Sequence, residues 1–207
     1  MTLAKTIQTQ SDGVVRALKT LGVPAGTARA LVMADETDLG AAVARVLKPR
    51  ALVVREGETA FDLTDAPEPY SLVIAGRGLE CTSLAGLRAR MTMIADVLEV
   101  GGLVGLWAAT LAAQANDGTG HEALLFPFSA ANGALGPSAR ATTPLSASSW
   151  TLMAMACGFE ILACEGFGQQ TLAGALAEHA GRLSMYDDRE LDTGRLLMVL
   201  RKSEETR

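Results

Sequence analysis

Four short apolar runs constrain this chain more than anything else in it. They are Ala30-Leu31-Val32-Met33-Ala34, Ala51-Leu52-Val53-Val54, Tyr70-Ser71-Leu72-Val73-Ile74-Ala75 and Leu103-Val104-Gly105-Leu106-Trp107. A strand with one face in water alternates apolar and polar residues. A run that stays apolar is a strand covered on both faces. Between the runs the apolar period changes. Leu39, Val43 and Leu47 recur every four residues, and Leu84, Leu87, Met91, Ile94 and Leu98 form a second stripe, with Arg88, Arg90 and Asp96 mostly off it. That is the pattern of amphipathic helices lying on a sheet. Strand–helix–strand alternation implies parallel strands with crossover helices, an α/β architecture.

The punctuation supports these boundaries. Gly101-Gly102 is expected to stop the second helix before the next strand. Ser11-Asp12 can cap a helix carrying Val14, Val15, Leu18 and Leu21, in an N-terminal helical segment over residues 1–27. Later in the chain, a helix is expected over Ser148–Ala156, ended by Gly158, and a strand over Phe159–Ala163. A further helix near Gln169–Ala180 and a last strand over Arg195–Leu200 follow. Residues 109–145 are rich in Ala, Gly, Ser, Thr and Pro with weak periodicity, and read as a lid or long connection within one domain spanning 1–207.

Composition narrows the function classes. Apolar residues make up 49% and charged residues 20%, which is a globular chain rather than a disordered one. The formal net charge of −5 disfavours a surface that tracks phosphates, so no nucleic-acid partner is expected. No uncharged apolar run reaches the roughly 18–20 residues of a membrane span. Met1–Gln10 is polar, so no signal peptide is read and the expected location is cytoplasmic. Cys81, Cys157 and Cys164 have no metal-ligand spacing and read as buried apolar thiols. Of the two histidines, His121 lies in the long segment near Glu122 and His179 late on an expected helix. A histidine can serve as a general base, a lone surface or loop histidine being the commoner case. No nucleophile elbow, phosphate loop or calcium loop is present.

Three segments together resemble the class I S-adenosylmethionine-dependent methyltransferases. Tyr70-Ser71-Leu72-Val73-Ile74 looks like that family's fourth strand. Val97-Leu98-Glu99-Val100-Gly101-Gly102-Leu103 is similar to the turn that leads into its fifth. Cys157-Gly158-Phe159-Glu160-Ile161 is similar to the opening of its sixth. The resemblance covers roughly residues 28–202. It implies a three-layer, Rossmann-like α/β fold with a mostly parallel seven-stranded sheet, in which the last strand, Leu196–Leu200, is antiparallel and inserted. Gly136-Pro137-Ser138-Ala139-Arg140 through Pro144 is loosely similar to a stretch in methyltransferases acting on carrier-bound malonyl groups.

In the family a glycine-rich turn follows the first strand, because glycine admits unusual backbone angles and close ligand approach. The matching stretch here is Ala34-Asp35-Glu36-Thr37-Asp38, with Ala34, Glu36 and Asp38 at the glycine positions and Val32 at the usual acidic one. The resemblance makes Ala34, Glu36 and Asp38 the cofactor-loop positions. It makes Glu56, with Glu58 as second choice, the acid for a ribose diol, and Gly76 a point of close approach after the fourth strand; a solvated charge run after a strand and a simple turn account for these residues equally well. Asp38 or Thr37 also suits capping of the helix that begins near Leu39. Side chains at the glycine positions narrow the space for the amino-acid part of S-adenosylmethionine, so weak or absent binding is expected.

Two functions follow from the resemblance. One is a divergent methyltransferase acting on a small molecule or a carrier-bound acyl group, with no catalytic residue or metal ligand assigned. The other is a non-catalytic binding or regulatory module acting through a protein partner, for which Leu124-Leu125-Phe126-Pro127-Phe128 is the apolar stretch to inspect.

Overall fold

The structure, a computed structural model, describes residues 11–34, 38–56, 63, 68–76, 79, 84–110, 145–169 and 193–204. The elements in chain order are α1 (Ser11–Thr20), β1 (Arg29–Ala34), α2 (Leu39–Val46), β2 (Ala51–Glu56) and β3 (Tyr70–Ala75). They continue with α3 (Leu84–Val97), β4 (Leu98–Ala109), α4 (Ala147–Ala156), β5 (Phe159–Gln169) and β6 (Thr193–Lys202). The strands form one sheet in the order β2-β1-β3-β4-β6-β5. β2, β1, β3 and β4 run parallel to one another, and β6 is antiparallel to both β4 and β5. The expected inserted antiparallel strand is therefore present. Six strands are found among the described residues, against the seven expected.

Burial follows the pleat. In β1, Leu31 and Met33 face one core with α3 and α4. Ala30 and Val32 face the other with α1 and α2. All four are fully buried, as an unbroken apolar run requires. Leu87, Met91 and Ile94 cover the first face with Trp150 and Ala154. Val14, Val15, Leu18, Leu39, Val43 and Leu47 cover the second. Helices on both faces of a sheet make three layers.

Some expectations are corrected. β2 is only half covered: Ala51 is exposed and Val54 is 40% exposed, because β2 is an edge strand among the described residues. The pair Gly101-Gly102 lies inside β4 rather than before it, and Leu98 opens that strand instead of closing the helix. Tyr70 opposes Leu98 and Leu72 opposes Leu103, so five residues of β4 advance against two of β3, and the glycines occupy that bulge. Ser11 and Asp12 lie within the first turn of α1. The cap of α4 is Ser146, whose hydroxyl accepts from the Ser149 N–H at 3.2 Å. Gly158, at φ +82°, ends that helix as expected. Gln169 belongs to β5, not to a helix, and the rest of the helix expected to follow lies outside the described residues. Cys157 is buried, and burial pushes its thiol pKa up. Cys164 is exposed, contrary to expectation, because its strand is the other edge among the described residues. Cys81 lies outside the described residues.

Candidate functional site

In the order β2-β1-β3 the chain leaves β1 in one direction for β2 and in the other for β3. Such a reversal opens a crevice beyond the carboxyl ends of the strands, and ligands of open α/β sheets bind there. Three of the five positions read from the sequence, Ala34, Glu56 and Gly76, gather at this edge. Ala34 is the last residue of β1 and Glu56 the last of β2, and they are register partners. The backbone N–H of Gly76 donates to the Met33 carbonyl at 2.9 Å, extending the β1–β3 pairing by one bond. Asp38 enters α2 on the far side of the loop. Glu36 lies outside the described residues, as do Glu58, His121, His179, the Gly136–Pro144 stretch and the Leu124–Phe128 segment.

The geometry at two of these positions departs from the glycine pattern. Asp38 has φ −95° and ψ −10°, ordinary right-handed backbone open to any residue, so no glycine is demanded there. It holds the N-cap position of α2, and its carbonyl accepts from the Ala42 N–H at 3.0 Å. Its carboxylate makes no cap bond, so the expected side-chain capping by Asp38 is corrected. Oδ1 instead accepts the Ser11 hydroxyl of α1 at 2.7 Å. Gly76 is buried and is not among the glycines with positive φ. Its N–H is committed to Met33, and its carbonyl accepts from the Leu79 N–H at 3.2 Å. What Gly76 offers a ligand is the absence of a side chain.

One glycine of this region was not singled out in the sequence. A Cβ on Gly40 would stand 2.8 Å from Cγ2 of Val54, so α2 rests directly on β2. In dinucleotide-binding loops one glycine serves this same helix-to-strand packing. Its position two residues past Asp38 was the available signal.

The neighbouring part of the edge, at the ends of β4 and β6, is closed by groups that sequence reasoning also passed over. Thr110 is fully buried; its N–H donates to the Gly194 carbonyl at 3.0 Å and its hydroxyl to the Thr193 carbonyl. The Arg195 guanidinium stacks over the Trp107 ring, 5.4 Å from its centroid. Trp150 of α4 donates its indole N–H to the Ala109 carbonyl at 3.3 Å. The signals were a tryptophan ending an apolar run and an arginine opening another.

Ser71 is the second residue of β3. Its hydroxyl donates to the Arg29 carbonyl at 2.9 Å and accepts the Arg29 N–H at 3.1 Å, at the start of β1. That is the opposite end of the strands from the crevice, so Ser71 ties β3 to β1. No group of His, Cys, Asp and Glu that could hold a metal occurs among the described residues, and none of their helices is long and apolar enough to cross a membrane.

No family model and no curated protein sequence matches this chain. Solved structures do. An S-adenosylmethionine-dependent methyltransferase from Mesorhizobium loti is similar over 94% of this chain and 99% of its own, with a TM-score of 0.58 at 12% identity. The CcbJ methyltransferase from Streptomyces caelestis is similar over 94% and 90%, with a TM-score of 0.57 at 14% identity. The chain matched in the Haloferax volcanii complex with the Trm112 methyltransferase activator is similar over 98% and 97%, with a TM-score of 0.54 at 15% identity. At such identities the likeness speaks for the fold, and it agrees with the sheet order, the antiparallel insertion and the two helical layers: this chain has the class I methyltransferase fold.

Proposed function

We propose that the crevice beyond β1 and β3 is the cofactor site of a divergent S-adenosylmethionine-dependent methyltransferase with weakened cofactor affinity. The observation that carries this reading is the register pairing of Ala34 with Glu56, beside the Gly76–Met33 bond. It gathers the start of the cofactor loop, the acid for a ribose diol and a residue without a side chain at one sheet edge.

The residues fit the ligand in part. Glu56 and Gly76 suit the adenosyl half. The replacement of glycine at positions 34, 36 and 38 disfavours the amino-acid half, where close backbone approach is needed. The bound cofactor would supply an electrophilic methyl group on a sulfonium. This chain's own contribution is to orient that ligand and keep water from it, which methyl transfer requires more than covalent help. Small molecules and carrier-bound acyl groups are the proposed substrates.

Calorimetry with S-adenosylmethionine and S-adenosylhomocysteine tests the reading. Dissociation constants in or below the range of hundreds of micromolar are expected, about −5 kcal/mol in free energy. Glu56→Ala should weaken binding about tenfold or more, as loss of a charged hydrogen bond does. Unchanged affinity in that variant removes Glu56 from the site.

A second reading is a non-catalytic module that acts through a protein partner. The exposed Leu152 (66%) and Met155 (58%) of α4 favour it, since an apolar helix usually buries its faces. The Haloferax volcanii complex with a methyltransferase activator is a precedent for a protein partner on this fold. No heat of binding with millimolar cofactor would favour this second reading.

A further inference from the structure

α1 is ten residues long, and a helix of that length is marginal on its own in water. It persists through what holds it to the rest of the molecule. Val14, Val15 and Leu18 are buried against the second face of the sheet. Leu18 reaches the β4 backbone because Gly105 has no side chain: a Cβ there would lie 3.1 Å from Leu18 Cδ1 and 2.7 Å from Ile74 Cδ1. Among the described residues, its side-chain ties to the rest of the molecule are at its amino end, and both run to α2. Asp12 takes a two-pronged contact from Arg45, with Nε donating to Oδ2 at 3.0 Å. Ser11, only 6% exposed, gives its hydroxyl to Asp38.

Asp38 is the last position of the stretch matched to the cofactor loop. That stretch leaves β1 at Ala34, pinned opposite Glu56, and enters α2 at Asp38, pinned to α1. Its exit is therefore fixed by a helix that has marginal stability of its own. The apolar face of α1 is held by packing on the sheet, and its amino end by the contacts to α2.

We propose that Ser11 is a positioning residue for the crevice, and that docking of α1 and ligand binding in the crevice are linked through its hydrogen bond to Asp38. The inference rests on the crevice being the cofactor site. Linkage is reciprocal: if docked α1 favours the ligand, the ligand favours docked α1 by the same factor. The factor expected for one charged hydrogen bond, partly exposed, is about tenfold.

The test is amide hydrogen exchange and calorimetry on the full chain, wild type and Ser11→Ala, with S-adenosylhomocysteine as the probe. In the wild type the probe should slow exchange along α1. Ser11→Ala should speed exchange at Leu39, Gly40 and Ala41, and weaken the probe about tenfold. Ser11→Thr, which keeps the hydroxyl, should restore both. Ser11→Cys, of similar size and a poor donor, replaces the alanine variant if that one fails to fold. Unchanged affinity and unchanged exchange at Leu39–Ala41 would overturn the inference and leave the cofactor reading standing. A wild type that binds no probe would overturn the cofactor reading and the linkage with it; the exchange comparison would then still decide whether Ser11 positions Asp38.

Discussion

Single residues decide how β4 can pass β3. Gly101 has φ +76° with open space around a built Cβ, whereas Gly102 would place a Cβ 2.9 Å from the Glu99 carbonyl oxygen and 3.2 Å from that of Tyr70. Two of the three obstacles at Gly102 are backbone oxygens, which cannot swing aside; the third is Cδ2 of Leu98 at 3.0 Å. Gly102→Ala is therefore expected to destabilise the protein by about 1–3 kcal/mol. Gly101→Ala should cost about 1–2 kcal/mol, through its left-handed backbone alone. Urea unfolding of the two variants checks the order; equal stability of Gly102→Ala and wild type would deny the close contact. The sequence marked both glycines as a break but could not say of what kind. A glycine pair ends a helix or makes a bulge by the same freedom of φ, and only the β3–β4 register distinguishes them.

At the scale of elements, α1 and α2 are joined by an ion pair whose strength depends on pH. Hydrogen bonds from Arg45 hold the Asp12 carboxyl below its usual value of 3.8. The folded-state pKa is lowered, so the contribution is present above the unfolded value and is lost as pH falls through the folded one. The melting temperature of wild type should therefore exceed that of Asp12→Asn near neutral pH, and the gap should close below pH of about 4. It should also narrow with added salt, because Arg45 is mostly exposed. A gap that does not shrink at all as pH falls below 3.8 would show that packing, not charge, separates the two proteins.

Helices and strands themselves were largely legible in the sequence. The Leu39–Leu47 and Leu84–Ile94 stripes both became helices covering the sheet, since four-residue spacing of large apolar side chains serves nothing else so well. The site was legible only as positions. That Ala34, Glu56 and Gly76 meet at one edge follows from strand order and register, which no local pattern encodes. The Ser11–Asp38 bond was invisible, because a hydroxyl and a carboxylate 27 residues apart carry no period. The fate of Ser71 was hidden for the same reason: its partner lies 42 residues away.

On the scale of the whole molecule, β6 is the strand on which the sheet depends. It sits between β4 and β5, and its residues alternate between the two cores: Leu196, Met198 and Leu200 with α3 and α4, Leu197 and Val199 with α1 and α2. Truncation of either set loosens one helical layer and both strand neighbours. Met198→Ala and Leu200→Ala are each expected to cost about 2–5 kcal/mol. Thermal unfolding should remain a single transition, because the damaged strand is shared by both layers. Separate transitions for the two layers would contradict this.

That placement also bears on how the protein is made. Synthesis delivers β4 and then β5, yet these two do not touch in the finished sheet; the strand between them emerges after both. Until Thr193–Lys202 is available, two long strands present bare edges to solvent, to chaperones and to each other. A chain lacking those residues would thus be prone to mispairing, and a 1–192 truncation should aggregate more than the full chain.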